Sequence, residues 1–183
     1  ISKYDGVDGF KLYGFERFIY QFISDNYPED QIEFDISKIK LVTIDIETKS
    51  ENGFPDVESA SEEILLVTIQ DYTTKEIITW GTKSFDNTHD NVDYRLCNDE
   101  HHLLNSFIQW WIENTPDVVT GWNCEFFDIP YIAGRLNRVL GAKLMKRLSP
   151  WGLVTQSDIV VRGRKNFIVD IGGVSVLDYM RLY

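Results

Sequence analysis

Short runs in which apolar and polar residues alternate with period two, and two longer runs with helical period, predict the elements of this chain. Residues 41–48, Leu-Val-Thr-Ile-Asp-Ile-Glu-Thr, read as the first core strand, with Ile44 and Ile46 on one face and Asp45 and Glu47 on the other. Two further strands, at 64–70 and 76–80, are joined through Asp71-Tyr72-Thr73-Thr74-Lys75 as a hairpin. Over 100–114 a helical stripe carries Leu103, Leu104, Phe107, Ile108, Trp111 and Ile112, capped by Asn98 or Asp99. After Thr115-Pro116 comes a short buried strand at 117–121, and a second helix runs from Pro130 to about Leu140, with Gly141 as its stop. Residues 158–162 and 166–171 alternate as strands around Gly163-Arg164-Lys165, a hairpin with a basic tip, and Gly172-Gly173 leads to a last strand at 174–177. The polar stretch 81–99 fits no template.

Residues 1–38 are rich in aromatics, among them Phe10, Tyr13, Phe15, Phe18, Tyr20, Phe22, Tyr27 and Phe34, and alternate loosely as edge strands do. With a turn at Asn26-Tyr27-Pro28-Glu29-Asp30, the segment reads as a β-rich extension, or the tail of a preceding domain, ahead of a domain spanning 39–183. Its aromatics are read as packing groups, not base-stacking platforms. The loop at 49–63 is longer than a hairpin needs, and loops of that kind often carry function. Phe54, followed by Pro55, is the large apolar residue at its centre; it either covers the core edge or meets a substrate base.

A chain of 183 residues with 43% hydrophobic content holds one packed domain and a short appendage, so disorder is not the default. No apolar run is long enough to span a bilayer, and no membrane partner is expected. Ile1-Ser2-Lys3 shows neither an initiator Met nor a signal-peptide pattern, so the chain is expected to be a piece of something longer. Cys97 and Cys124 lack zinc spacing and argue for a reducing, intracellular setting. The formal charge of −11 is unevenly spread, since residues 134–183 hold nine basic side chains against three acidic ones. A basic third beside an acidic remainder suits a nucleic-acid path next to a metal site; it equally suits a solvated imbalance.

Asp45 and Glu47 carry the chemistry. Two carboxylates one pleat apart on a rigid strand repel each other and are costly to bury without a cation, and hard oxygen ligands suit magnesium or manganese. Standing alone, the pair would read as a solvated strand end. Asp128 has a sober explanation too, because Asp before Ile129-Pro130 is a favoured helix N-cap. His89, His101 and His102 lack metal spacing and are read as surface residues.

Taken together, Asp45-Ile46-Glu47 and Asn123-Cys124-Glu125-Phe126-Phe127-Asp128 resemble the first two exonuclease motifs of family B DNA polymerases, Asp-x-Glu and Asn-x-x-x-Phe-Asp. The context is similar to the replicative polymerases of T-even-type bacteriophages in particular. It lies in Thr120-Gly121-Trp122, Ile129-Pro130-Tyr131-Ile132, Met145-Lys146-Arg147, Ser149-Pro150 and Gly173-Val174-Ser175-Val176-Leu177-Asp178-Tyr179. The resemblance implies an α/β, ribonuclease-H-like mixed sheet with flanking helices, the N-terminal β-rich extension and a basic hairpin insertion. It implies a 3′-to-5′ proofreading exonuclease in which Asp45, Glu47 and Asp128 are the catalytic residues and hold two Mg2+ or Mn2+ ions. Asn123 and Phe127 would position the terminal nucleotide, Phe54 would wedge between unpaired bases, and Arg164 and Lys165 would sit on the hairpin that helps part primer from template.

The implied partners are single-stranded or frayed primer-template DNA, the remaining polymerase domains and, through them, a sliding clamp; the implied location is the cytoplasm of an infected bacterium. The family's third motif, Tyr-x-x-x-Asp, does not occur here. Counted from Tyr179, its Asp would fall at Tyr183, while Asp178 is assigned to structure. This fragment is therefore expected to have little nuclease activity alone. Two competing readings stand: an RNA-trimming exonuclease of the same fold, and a non-catalytic nucleic-acid-binding scaffold.

Overall fold

A computed structural model describes residues 18–27, 33, 35–51, 53–161 and 163–182, with the side chains of Phe18, Ile19, Arg164 and Leu182 outside the described set. The chain divides into two compact units, Ile1–Ile36 and Ser37–Tyr183. Within the first, the described element is a helix, α1 (Phe18–Asn26), which corrects the expected β-rich extension over those nine residues. Phe18, Ile19, Phe22 and Ile23 recur at intervals of three to five, a helical spacing that loose alternation masked. Asn26 Nδ2 donates to the Phe22 carbonyl at 2.8 Å, and α1 stops before Tyr27-Pro28, where the residue preceding proline disfavours helix. Phe10, Tyr13, Phe15 and Phe34, and the Pro28-Glu29-Asp30 part of the expected turn, lie outside the described residues.

The second unit is built on a six-stranded sheet in the order β4-β3-β2-β1-β5-β8. Its strands are β1 (Leu41–Thr48), β2 (Ile64–Asp71), β3 (Ile77–Gly81), β4 (Val92–Leu96), β5 (Val118–Gly121) and β8 (Ser175–Asp178). Pairing is antiparallel for β1 with β2 and β2 with β3, and parallel for β3 with β4, β1 with β5 and β5 with β8, which makes the sheet mixed as expected. β4 emerges from the stretch the sequence left unassigned. Its Val92, Tyr94 and Leu96 alternate with Asp93 and Arg95, but the run is five residues long and none of it is fully buried.

One face of the sheet is apolar. Val42, Ile44 and Ile46 of β1, Val67 and Ile69 of β2, Trp80 of β3 and Val119 of β5 are buried there. Helices α2 (Glu100–Asn114) and α3 (Asp128–Val139) supply Leu103, Phe107, Trp111, Ile132 and Leu136 to the same core. Each such side chain contributes roughly 1.5–3 kcal/mol by burial. The α2 stripe and its cap match the expectation, since Asp99 accepts the His102 amide at 2.8 Å. The three histidines are exposed.

Past Gly141, whose φ of +90° ends α3, come a single helical turn, α4 (Ala142–Met145), and a 3-10 turn that bury Met145 and Leu148 while leaving Lys146 and Arg147 outside. Trp111 Nε1 donates to the Leu148 carbonyl at 2.8 Å and ties this connector to α2. β6 (Val154–Val161) and β7 (Arg164–Ile171) form a separate two-stranded sheet. Both strands are longer than the alternation suggested, and Val161 pairs directly with Arg164. Gly163 stands just before Arg164 at a φ of +77° that suits glycine; Arg162 lies outside the described residues. Buried Val169 and Ile171 join the hairpin to the main core. Among the described residues, no helix is long and apolar enough to cross a membrane.

Candidate metal and nucleic-acid site

β5 pairs with β1 only as far as Thr43↔Thr120; Gly121 still pairs with β8, and the chain leaves the sheet after it. Gly121 passes so close to β1 that a Cβ there would lie 2.7 Å from the Ile44 carbonyl oxygen and 2.9 Å from Cys124 Cβ. Beyond this point the edge of β1 lacks a strand partner on that side, and a buried N–H without an acceptor is costly. Asp128 fills the gap. Its Oδ1 accepts the Ile46 amide at 2.9 Å, across 82 residues of sequence.

This corrects the capping explanation for Asp128. The residue is the first of α3, not its cap; the preceding Phe127 makes no side-chain capping bond, and the Asp128 carboxylate is spent on β1. Asp128 is buried at 3% exposure, so its ionisation is penalised. Burial and then the neighbouring charge of Asp45 push its carboxyl up to about 7, against the pull of the Ile46 N–H. Asp45 lies on the open face of β1, and burial raises it too. Glu47, one pleat further, is exposed and stands at the rim of a groove of about 460 Å³ lined by Leu66, Thr79, Phe85 and Tyr94 on that same face.

The structure thus places Asp128 within the field of Asp45 and leaves Glu47 toward the groove. Among the described residues, no group of three or more His, Cys, Asp or Glu side chains is already arranged to hold a metal ion. The donor chemistry nonetheless fits a hard divalent cation: burial opposes the charge of both carboxylates and Asp45 adds to the cost at Asp128, and a cation between them would relieve repulsion and desolvation together.

The strand-to-helix junction holds the other expected residues. Asn123 sits at a φ of +61°, and its carbonyl accepts the amides of Phe126 at 3.1 Å and Phe127 at 2.9 Å, closing a turn that swings the chain into α3. Phe54 is 80% exposed, so it does not cover the core edge; its ring lies 4.9 Å from that of Phe127, which in turn meets Tyr131 at 5.4 Å. A cleft of about 410 Å³ runs from Phe54, Asp56 and Glu58 to Asp158, Lys165 and Phe167 on the hairpin. Lys165 Nζ meets Asp158 at 3.0 Å, and this hydrogen bond raises the lysine above its usual range. Arg164 opens β7, with its side chain outside the described set.

Sequence reasoning missed the hub that fixes the Phe54 loop. Arg135 is buried on α3, pairs with Glu100 of α2, and donates through Nη1 to the carbonyls of Ala60 at 2.9 Å and Ser61 at 3.0 Å. Glu100 Oε1 also accepts the Ile64 amide at 2.8 Å, at the start of β2. Tyr131 Oη and Arg138 Nη2, on either side of Arg135 along α3, donate to the carbonyls of Glu62 and Ser59 at 2.8 and 2.6 Å. A signal existed: Ile132 and Leu136 place position 135 on the apolar side of the helix, where an arginine needs a buried partner.

The chain matches the protein family described as DNA polymerase family B, exonuclease domain, over residues 17–183. A DNA-directed DNA polymerase of Escherichia phage RB69 is 28% identical over 200 residues, and one of Enterobacteria phage T4 is 30% identical over 200 residues. In both cases the match covers 96% of this chain and 22% of the relative, so the chain spans about a fifth of their length. A DNA polymerase of Thermococcus litoralis is 31% identical over 108 residues, which is 59% of this chain and 6% of that protein.

Proposed function

Because the chain belongs to the exonuclease-domain family of the family B DNA polymerases, we propose that it is the proofreading part of a DNA-directed DNA polymerase, which hydrolyses the 3′-terminal phosphodiester of single-stranded or frayed primer DNA, and that the chain by itself has little nuclease activity. The observation that carries this reading is the arrival of Asp128 at β1, where its carboxylate accepts the Ile46 amide and its ionisation is opposed by burial and by the neighbouring charge of Asp45. Residues 1–38 are then the tail of an N-terminal domain and 39–183 the exonuclease domain.

In this reading Asp45, Glu47 and Asp128 hold Mg2+ or Mn2+, two ions in the complete site. The chemistry supplied at such a site is activation of a water and relief of charge on the leaving oxygen. The remaining work belongs to the chain. Phe54 and Phe127, already in ring contact, offer a stacking surface to the terminal base, and Asn123 at the head of the turn lies where the terminal nucleotide would be oriented. Arg164 and Lys165 meet the phosphate backbone from the hairpin, with the Lys165–Asp158 pair opening to do so. A mismatched end is admitted more readily because unpairing it costs less. The other polymerase domains, and a sliding clamp through them, are the partners.

The 183 residues contain two of the family's three acidic motifs, so metal binding is the direct readout of the chain itself. Titration with Mn2+ at pH 8 should show binding that Asp45→Ala and Asp128→Asn each weaken at least tenfold. Carboxylate-independent binding, or none, would favour the scaffold reading and end this one. Digestion of DNA against RNA by a polymerase carrying the domain separates proofreading from RNA trimming.

A further inference from the structure

Asp178, the last residue of β8, is buried, and its carboxylate is spent entirely on backbone. Oδ1 accepts the amides of Asn123 at 3.0 Å and Met180 at 2.9 Å, and Oδ2 accepts the amide of Glu125 at 3.1 Å. Two of these donors flank Cys124 inside the junction that carries Asn123, Phe127 and Asp128. The third lies in the first half of the 3-10 turn Tyr179–Leu182. That turn grips the same junction from outside: Arg181 pairs with Glu125 through Nε and Nη2, both at 2.7 Å, and lies 5.4 Å from the centre of the Phe126 ring. The rings of Tyr179 and Trp122 meet at 5.5 Å.

Why the junction needs a grip follows from Asn123. A φ of +61° is disfavoured for any residue with a Cβ, even though asparagine tolerates it better than most. The turn that delivers α3 depends on that conformation, because the Asn123 carbonyl must accept from both Phe126 and Phe127. A carboxylate that takes the Asn123 and Glu125 amides together selects it, and β8 brings the carboxylate into place by pairing Gly121 with Asp178.

We propose that Asp178 is a positioning residue for nucleotide binding: by clamping the Asn123 and Glu125 amides it holds the Asn123–Phe127 turn in the one conformation that presents these side chains to the 3′-terminal nucleotide. Asp128 keeps its own anchor on Ile46, so the clamp governs the nucleotide edge of the site and not the metal edge. The proposal rests on the nuclease-domain reading. It assigns Asp178 a role that the acidic motifs do not.

The test uses the whole chain, Asp178→Ala and Asp178→Asn, with Mn2+ and phosphorothioate dT4 as probes at pH 8. Losing the clamp lowers the population of the competent turn, and apparent affinity falls with that population. Asp178→Ala should weaken dT4 binding about tenfold while Mn2+ affinity stays within about twofold. Asp178→Asn, which keeps one acceptor oxygen, should fall between. Amide hydrogen exchange should speed up at Asn123 and Glu125 and stay unchanged at Ile44 and Val67. Undiminished dT4 binding in both variants overturns the proposal, as does a parallel loss of Mn2+ binding with general opening of the core. Failure of the unmodified chain to bind dT4 at all removes the nuclease reading, and the clamp's role with it.

Discussion

Asp128→Asn separates the charge of this side chain from its hydrogen bond. The amide oxygen can still accept the Ile46 N–H, which lies 2.9 Å from Oδ1, while the ionisation is gone. In the unmodified chain burial, and then Asp45, push the carboxyl from 3.8 up to about 7. An acid raised on folding keeps its proton in the folded state after the unfolded chain has released it. The stability it confers is therefore fully present below about pH 4 and is lost as pH rises toward about 7. At about 1.4 kcal/mol per pH unit up to the folded value, the loss between pH 5 and pH 8 is roughly 2–3 kcal/mol.

Comparing the variant with the parent at each pH cancels other titrating groups and any fixed cost of burying the amide. The expected result is a stability difference that grows in the variant's favour by that amount from pH 5 to pH 8 in EDTA. In melting temperature this is about 5–10 °C for a chain of this size. Urea unfolding at pH 5, 6, 7 and 8 measures it. A difference constant within about 0.5 kcal/mol, the scatter of ordinary surface changes, would show that Asp128 ionises without strain and refute the electrostatic account of the site.

Three further perturbations probe other parts of the argument. Arg135→Met leaves Glu100 buried without its partner and should cost about 3–5 kcal/mol in urea unfolding, with proteolysis appearing first in the 49–63 loop. Gly121→Ala sets a methyl 2.7 Å from the Ile44 carbonyl oxygen and should cost about 1–3 kcal/mol, read as a lower melting temperature. Phe54→Ala, at an 80% exposed side chain, should leave stability within about 0.5 kcal/mol. It should nevertheless weaken phosphorothioate dT4 binding by roughly 1–3 kcal/mol, measured by fluorescence titration.

Where one periodicity dominates, the sequence was a sufficient guide. The α2 stripe from Leu103 to Ile112, the alternation of β1 and the Asp71–Lys75 connection all stand at or within a residue of the expected places. The resemblance carried by Asp45-x-Glu47 and by Asn123 to Asp128 is borne out at the level of the family. Failures came where a local rule met a tertiary demand. Loose alternation suggested strands at 18–26, yet the apolar pairs 18/19 and 22/23 are a helix pattern. Asp128 has the local look of an N-cap, but the unpaired Ile46 amide, set by where β5 leaves the sheet, claims it instead. Beyond the place of Arg135 on the apolar side of α3, nothing local marked Glu100, Arg135 and Asp178, because the groups that Glu100 and Arg135 share and the Asn123 amide that Asp178 takes lie 35 to 75 positions away.

The position of Asp128 follows from the sheet before any chemistry is considered. β5 must turn away at Gly121 to start α3, and its departure strands one donor on the buried edge of β1. Any acceptor would satisfy that donor; asparagine or a water would do so without placing a second charge beside Asp45. The chain uses a carboxylate and sets it against both burial and Asp45, so its charge is the part of the residue that folding does not require. A group whose fold-required function is neutral and whose extra property is an unfavourable charge points to a cationic ligand, since only a cation converts that cost into binding energy. The hydrogen bond and the charge of Asp128 are thus two separable functions, and Mn2+ should stabilise the parent at pH 8 while leaving Asp128→Asn nearly unmoved.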